Sequence, residues 1–411
     1  LGSNTTANNN TAVGMNALVA NTTGTQNVAV GSLAGDAITT GDGNTAIGYF
    51  SLSTTTTADN NTAVGVDSLG LNSTGANNTG IGRDALRSNT TGAYNVAVGA
   101  LALDANTTAS YNVGMGYGAL SAVVTGASNT AVGHQALEDN TGSNNTAVGA
   151  NTLLQNTTGV QNTAVGSGAL DANTTASNNT AVGYLALTAN TTGAANVAVG
   201  LNALAANTTA SDNTAVGYGA LQANTTGSQN TGLGLYAGLD ITTGTFDTAL
   251  GYRSMGNGAT HTGSYNTGVG AYTLDANSSG ASNVAVGYAA LSANTTANNN
   301  TAVGTSALAA NTTGASNVAV GALTLDANTT GQRNTAVGQQ SMGANTTGDY
   351  NTGLGRDALH KNTTADYNTA VGYGALYENL TGTYNTAVGA NALDANTTGA
   401  SNNAFGYGAL G

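Results

Sequence analysis

The chain has 411 residues and a formal net charge of −13, and only 6% of its residues are Asp, Glu, Lys or Arg. It contains 60 Gly but no Pro, Cys or Trp. Without Cys, disulfides and thiolate metal sites are excluded, and the acidic balance argues against nucleic-acid or anionic-membrane partners. No run approaches 18 apolar residues, so no membrane span is predicted. Leu1 is not an initiator Met and no signal peptide is present, which indicates a processed chain or a piece of a longer one.

Internal repetition organises the whole sequence. The pentapeptide Asn10-Thr-Ala-Val-Gly14 recurs in 24 copies, and 21 of the 23 steps between copies are 17 residues long, one is 16 and one is 19. The copies open at residues 10, 27, 44, 61, 78, 95, 112, 129, 145, 162, 179, 196, 213, 230, 247, 266, 283, 300, 317, 334, 351, 368, 385 and 402. A fixed period of this kind is typical of a solenoid.

Aligning the copies on their first Asn numbers the unit from position 1 to position 17. Position 5 is always Gly, position 4 is always apolar, position 3 is only Ala or Gly, and position 9 is Leu in 20 copies. Because all copies belong to one chain, each such column reports what the geometry of one coil requires.

The unit is too short for a helical repeat, and Asn, Thr and Gly occupy the places where helix formers would stand. Positions 2 to 4, Thr or Val, then Ala, then Val, predict a short strand. The following Gly suits a positive φ or a close backbone approach, and we mark Gly14, Gly65, Gly183 and Gly304 as turn glycines. A second short apolar stretch, Ala-Leu-x-Ala, ends in the turn signal Asn-Thr-Thr-Gly. Two short strands and two turns predict one coil of a solenoid.

We therefore predict an all-β fold, a parallel β-solenoid or β-roll of 24 coils that forms one continuous repeat region over residues 1–411. Positions 4 and 9 are expected to fill the interior, with positions 6 and 7 exposed and Asn ladders at positions 1 and 12. The irregular coils fall near residues 32–43, 133–145, 235–246 and 251–266. The predicted core is represented by Val13, Leu18, Val64, Leu69, Val182, Leu187, Val303 and Leu308.

So thin a core predicts self-association. Each coil offers about two large apolar side chains, too few to offset ordering 17 residues at about 1.5 kcal/mol each. We expect the partner to be the chain itself, either as a homotrimer or as a filament of rods joined end to end.

These residues resemble known families. The Val-Ala-Val-Gly and Thr-Ala-Val-Gly cores are similar to the head repeats of YadA-type trimeric autotransporter adhesins. The longer form over residues 213–227, Asn-Thr-Ala-Val-Gly-Tyr-Gly-Ala-Leu followed by Ala-Asn-Thr-Thr-Gly, resembles the repeat shaft of tail-fibre-type proteins that carry an endosialidase-type intramolecular chaperone. The resemblance implies a left-handed, trimeric roll. Two departures stand against it: a period of 17 instead of the 14 usual in the adhesin heads, and no C-terminal chaperone in this chain.

Catalytic, cofactor and metal sites are not predicted. The histidines His134, His261 and His360 share no column, and we interpret them as solvent-facing turn residues. Asp recurs at position 10 without the Gly-Gly-x-Gly-x-Asp pattern of a calcium-binding roll. The Asn-x-Thr sequons, such as Asn21-Thr-Thr23, fit either glycosylation acceptors or an Asn ladder, and we favour the ladder.

Tyr and the irregular coils carry the predicted recognition features. Of the 17 Tyr, eight stand at position 6 and six at position 17. As surface residues, these Tyr would suit binding to sugars or protein partners. Alternatively, Tyr in neighbouring coils stack on each other and cover an edge of the solenoid. The coil with two extra residues contributes the candidate recognition residues Arg253, Asn257, His261 and Tyr265.

The sequence thus predicts a non-enzymatic protein, an extracellular fibre at a cell surface or on a virion. In this reading the chain forms the rod-like shaft of a tail fibre, an adhesin or a filament, and a cell-surface glycan or protein is a possible target. The alternative is a module that binds a repetitive surface, carbohydrate or ice, through Thr or Tyr ladders. Adjacent Thr at positions 13 and 14 point opposite ways if extended, which disfavours ice.

Overall fold

The protein is a parallel β-solenoid. A computed structural model describes residues 1–258 and 260–411, and each described copy of the unit forms one coil with one three-residue strand at positions 2 to 4. The coils group into two compact units, one formed by residues 1–202 and 207–209 and the other by residues 203–206 and 210–411.

The first unit carries twelve strands. In chain order they are β1 (Thr11–Val13), β2 (Val28–Val30), β3 (Thr45–Ile47), β4 (Thr62–Val64), β5 (Thr79–Ile81), β6 (Val96–Val98), β7 (Val113–Met115), β8 (Thr130–Val132), β9 (Thr146–Val148), β10 (Thr163–Val165), β11 (Thr180–Val182) and β12 (Val197–Val199).

The second unit carries the other twelve. They are β13 (Thr214–Val216), β14 (Thr231–Leu233), β15 (Thr248–Leu250), β16 (Thr267–Val269), β17 (Val284–Val286), β18 (Thr301–Val303), β19 (Val318–Val320), β20 (Thr335–Val337), β21 (Thr352–Leu354), β22 (Thr369–Val371), β23 (Thr386–Val388) and β24 (Asn403–Phe405).

Within each unit every strand pairs in parallel with its sequence neighbours, and equal unit positions face each other. Thr163 pairs with Thr180 and Val165 with Val182, for example. The 16-residue step keeps this register, with Ala131 opposite Ala147, and the 19-residue step keeps it with Ala249 opposite Gly268. Length changes are therefore absorbed in the turns and never in the strand.

The remainder of each coil is a chain of turns, so the predicted second strand at Ala-Leu-x-Ala is wrong. Positions 7, 9 and 17 of the coil have a positive φ, although most residues there are not Gly. Examples are Asn16 (59°), Leu18 (48°) and Gln26 (60°). These left-handed residues curl the chain tightly. The turns still bond to the next coil, as where Leu69 N–H donates to the Ala85 carbonyl at 3.0 Å.

The interior of the coil is built from position 9 and, unexpectedly, from position 3. Leu18, Leu69, Leu187 and Leu308 are fully buried, which confirms the position-9 core. The small position-3 residues are also buried, as are most Ala at position 8. The interior of each coil is therefore filled by Ala methyl groups and one Leu side chain, and it has no space for a further large side chain.

The prediction that position 4 belongs to the core of the coil is wrong. In a strand of three residues the side chains alternate, so a buried position 3 forces positions 2 and 4 outwards. Val13 is 57% exposed, and Val64, Val182 and Val303 lie half-buried at the surface beside their neighbours in the column.

Turn glycines behave as predicted. Gly65 has φ of 137°, and a Cβ added there would lie 2.5 Å from the carbonyl oxygen of Gly82 in the next coil. Gly14, Gly183 and Gly304 share this conformation, with φ of 128°, 136° and 138°. Position 5 is therefore Gly for two reasons at once, the backbone conformation and the close approach between coils.

Two buried Asn ladders confirm the predicted corner columns. At position 1, Asn27 N–H donates to the Asn10 Oδ1 at 2.8 Å, and Asn27 Nδ2 donates to the Gly41 carbonyl at 2.8 Å. At position 12, Asn89 Nδ2 donates to the Asn72 Oδ1 at 2.7 Å. The amides thus satisfy buried turn carbonyls and link each coil to the next.

Candidate functional site

The outward strand face is the first candidate surface. The position-4 column presents one apolar side chain per coil, including Ile47, Ile81, Leu233, Leu250 and Leu354, and all five are exposed. Position 2 beside it is Thr or Val and is half-buried or exposed in nearly every coil. Because this column repeats along each unit, it forms a continuous apolar stripe, and such stripes mark interaction surfaces.

The position-17 aromatics stack on each other, so they seal an edge of the coil. Tyr350, Tyr367 and Tyr384 form a ladder with ring centroids 5.0 and 5.1 Å apart and nearly parallel planes. Arg333 caps this ladder with its guanidinium 5.0 Å from the Tyr350 ring centroid. The faces between successive rings are covered, which supports the structural interpretation of this column.

A different arrangement occurs at positions 6 and 7 of five successive coils in the second unit. Edge-to-face contacts join Tyr218 to Tyr236 at 5.0 Å, Tyr252 to Tyr272 at 5.3 Å and Tyr272 to Tyr288 at 5.9 Å. Arg253 bridges the two groups, with its guanidinium 6.0 Å from the ring centroids of both Tyr236 and Tyr252. We call this the aromatic–arginine cluster: Tyr218, Tyr236, Tyr252, Arg253, Tyr272 and Tyr288.

The hydroxyls of neighbouring rings in the cluster affect each other's pKa. The pKa of Tyr236 is raised, chiefly by its side-chain hydrogen bond with Tyr218. The pKa of Tyr272 is raised by desolvation first and then by its side-chain hydrogen bond with Tyr252. The ring contacts and these shifts both place Tyr218 beside Tyr236 and Tyr252 beside Tyr272.

Two carboxylates flank the guanidinium. Burial raises the pKa of Asp240 and of Asp275, and in both cases the charge of Arg253 opposes that rise. The backbone N–H of Gly258 donates a hydrogen bond to Asp240. The buried Nε of Arg253 donates to no other described residue. The cluster thus has one cation, Arg253, with two acidic groups outside the cluster, Asp240 and Asp275, in its electrostatic surroundings.

A shallow cleft of about 450 Å³ adjoins this region on the same unit. It is lined by Ala205, Ala206, Gln222, Ala223, Leu239 and Asp240. Its wall is mostly small and apolar, and Asp240 is shared with the surroundings of Arg253. The volume lies within the range of small-molecule sites.

The four predicted recognition residues do not form one group. Arg253 lies in the aromatic–arginine cluster, Asn257 is exposed in the inserted turn, and Tyr265 stacks on Phe246 at 5.0 Å in the position-17 column. His261 was predicted to face solvent and is instead only 1% exposed, so it is unable to touch a target in this state. His134 is exposed and His360 is half-buried.

His261 takes the place of an Asn in the position-12 ladder. It pairs with Ile241 as an isolated parallel bridge, and its Nδ1 lies 3.0 Å from the carbonyl oxygen of Asn277. Asn277 is the position-12 residue of the next coil. The inserted residues therefore lie before His261, and the histidine occupies position 12 of its coil.

The other irregular coils exchange one core residue for another. Gly35 and Gly238 replace Leu at position 9, and Ile38 and Ile241 replace Asn at position 12. A Cβ added at Gly35 would lie 2.9 Å from Ile38 Cδ1, so the isoleucine fills the space that leucine occupies elsewhere. Both isoleucines are buried. The departures at 32–43 and 235–246 are thus compensated inside the core.

Residues that sequence reasoning missed are Tyr236 and Tyr272. They belong to neither Tyr column, but they stand at position 7 on either side of Arg253 in three successive coils. That run of large side chains at one position was the available signal. Asn21, the acceptor of a sequon, is buried in the ladder.

No group of three or more His, Cys, Asp or Glu residues able to hold a metal ion occurs among residues 1–258 and 260–411. Over the same residues the structure has no helix long and apolar enough to cross a membrane. The architecture defines the chain as a parallel β-solenoid repeat protein. Comparison with models of protein families and with curated proteins finds no match.

Proposed function

We propose that the chain is a structural shaft segment of an extracellular fibre, a tail fibre, a surface adhesin or a filament on a cell surface or virion. The observation that carries this proposal is the outward position-4 column. A solenoid unit that exposes one position-4 side chain per coil, such as Ile47 and Ile81, offers a regular apolar face, which fits a partner of the same period. Another copy of the chain has that period.

The partner is therefore the chain itself, and a homotrimer is the arrangement we propose. Cyclic symmetry lets one face of each copy meet the same or a neighbouring face of the others without leaving an open edge. Burial of the column would supply the large apolar contacts that the methyl-lined interior of each coil lacks.

The test introduces charge in the position-4 column and compares its effect on assembly with that of the same charge at another position of the same coils. Val148→Glu with Val182→Glu alters position 4 in two coils separated by one. The matched control, Thr158→Glu with Thr192→Glu, alters the exposed position 14 of those coils. Sedimentation velocity of the parent should show a trimer. We expect the position-4 variant to dissociate and the control to stay assembled, because like charges brought together at an interface cost several kcal/mol.

A monomeric parent chain at micromolar concentration contradicts the proposal. So does dissociation of the control to the same extent as the position-4 variant. An open series of larger species in the parent would replace the trimer by an end-to-end filament.

A further inference from the structure

We propose that the aromatic–arginine cluster is a binding site for a neutral oligosaccharide. This binding role goes beyond the proposed shaft function and does not depend on assembly of the chain. The cluster is the one place among the described residues where ring contacts and a bridging Arg253 link positions 6 and 7 across five successive coils. Elsewhere position 6 varies among Tyr, small residues such as Ala150 and Ser167, and larger ones such as Arg83 and Leu201.

The residues at position 7 of the cluster form an unusual run. Tyr236, Arg253 and Tyr272 have left-handed φ values of 56°, 50° and 58°, as position 7 has in the other described coils. Three successive copies with an aromatic or cationic residue at this position occur nowhere else in the sequence. The cluster is therefore set apart by its side chains and not by its backbone.

The rings are placed to receive a ligand from solvent. Tyr252 is 39% exposed and Tyr288 57% exposed, and their contacts are edge-to-face. This differs from the position-17 ladder, in which parallel rings cover each other. In an edge-to-face pair the ring that contributes its edge has neither face covered by its partner, and a ring face suits the C–H surface of a sugar.

Polar groups around the rings match hydroxyl chemistry. The Tyr252 and Tyr288 hydroxyls can donate and accept hydrogen bonds, the Arg253 guanidinium is a donor beside the Tyr236 and Tyr252 rings, and the Asp240 carboxylate is an acceptor. Two carboxylates and one guanidinium repel an anionic polymer, as does the net charge of −13. Apolar ring faces combined with both donors and acceptors therefore favour a neutral, polyhydroxylated ligand.

The cluster is longer than one sugar ring. It spans four coil steps of about 4.8 Å each, roughly 19 Å in all. The cleft of about 450 Å³ beside Asp240 extends the same surface. An oligosaccharide, which presents several rings in a row, fits this length better than a monosaccharide.

The experiment uses the full chain and four probes: cellohexaose, chitohexaose and maltoheptaose as neutral oligosaccharides and hexagalacturonate as an anionic one. Binding is measured by isothermal titration calorimetry and by saturation-transfer NMR. Tyr252→Ala with Tyr288→Ala removes two exposed rings of the cluster. The matched control, Tyr184→Ala with Tyr373→Ala, removes two exposed position-6 rings from other coils.

At least one neutral probe should bind the parent, and the cluster variant should lose affinity by about tenfold or more, as expected for truncation of aromatic anchors. The control should keep the affinity of the parent. Arg253→Lys keeps the charge but loses the planar donor, so it should also weaken binding.

Failure of every neutral probe to bind, binding of hexagalacturonate alone, or equal loss in the control would overturn the proposal. Sedimentation of the cluster variant separates this outcome from the shaft function, since a variant that remains assembled but does not bind locates recognition in the cluster.

Discussion

Asp247 Oδ2 lies 3.4 Å from His261 Nε2, and both side chains are buried inside the coil. Asp247 is the exception in the position-1 column, where every other copy has Asn, and His261 stands in the position-12 ladder. Asn266 N–H donates to Asp247 Oδ1 at 2.8 Å, so the carboxylate still serves as a link of the ladder. Two Asn have thus been exchanged together for an acid and a base in the coil that contains the insertion.

The Asp247–His261 contact predicts that the effects of Asp247→Asn and His261→Asn on stability are strongly coupled. His261→Asn alone leaves a buried carboxylate without its basic neighbour and should destabilise the coil by about 3 kcal/mol. Asp247→Asn with His261→Asn rebuilds the regular ladder and should recover most of that loss. Hydrogen–deuterium exchange over residues 240–266, with thermal unfolding, measures both. A double variant less stable than either single variant would refute the coupling.

How far the sequence predicted the structure depends on which residues recur. Gly at position 5, Leu at position 9 and Asn at positions 1 and 12 recur in most copies, because backbone conformation, core volume and amide bonding each favour one residue type. Their roles were predicted correctly. The orientation of the strand was harder to predict, since Thr-Ala-Val has its larger apolar residue on the outside and only Ala on the inside.

The candidate site was harder still. Positions 6 and 7 vary from coil to coil, so the only sequence signal for the site was the short run of large side chains at position 7. Contact between Tyr236 and Arg253 depends on the register between neighbouring coils and on the left-handed backbone at position 7. His261 was misplaced for a related reason, because an insertion hides which residue of the loop returns to the ladder.

The orientation of the strand predicts unequal losses of stability from substitutions at adjacent residues. Ala181→Leu forces a large side chain into a fully buried methyl-sized space and should destabilise the chain by about 1–3 kcal/mol or more. Val182→Ala, one residue later, removes an outward side chain and should cost less than about 1 kcal/mol in the monomer. Chemical unfolding at a dissociating concentration compares the two. If Val182→Ala is the more damaging, the strand is inverted.

The same coil provides a reference for the core. Leu187 is fully buried, and Leu187→Ala should cost about 2–5 kcal/mol through the cavity it leaves. A cost comparable to that of Val182→Ala would contradict the assignment of position 9 to the interior.

Glycine at position 5 should be intolerant even of alanine. At Gly183 φ is 136°, and an added Cβ would lie 2.5 Å from the Gly200 carbonyl oxygen. Gly183→Ala should therefore destabilise the coil by about 3 kcal/mol, the upper range for strained backbone. The control is Gly118→Asn, at a position-7 Gly with φ of 64° whose nearest neighbour would be 3.7 Å away. Thermal unfolding should show little change for the control, and an equal loss in both variants would contradict this account.

Aspartates at position 10 should make the fold more stable as the solution becomes acidic. Burial raises the pKa of Asp104 and Asp171 above the ordinary value, and the Oδ1 atoms of both find no hydrogen-bond donor among the described residues. The folded chain therefore binds these protons more tightly than the unfolded chain. The resulting stabilisation is complete below the unfolded pKa and is lost as the pH rises through the raised folded pKa.

Asp104→Asn with Asp171→Asn removes this dependence. At neutral pH the variant should unfold at a higher temperature than the parent, because no buried carboxylate has to be ionised. The difference should shrink as the pH falls towards the pKa of a free aspartate, since the parent then gains its protons. Asp212→Asn, which removes an exposed carboxylate, controls for the change in net charge. Thermal unfolding at a series of pH values decides the matter: a difference that grows on acidification would mean that position 10 stabilises the folded chain through its charged form.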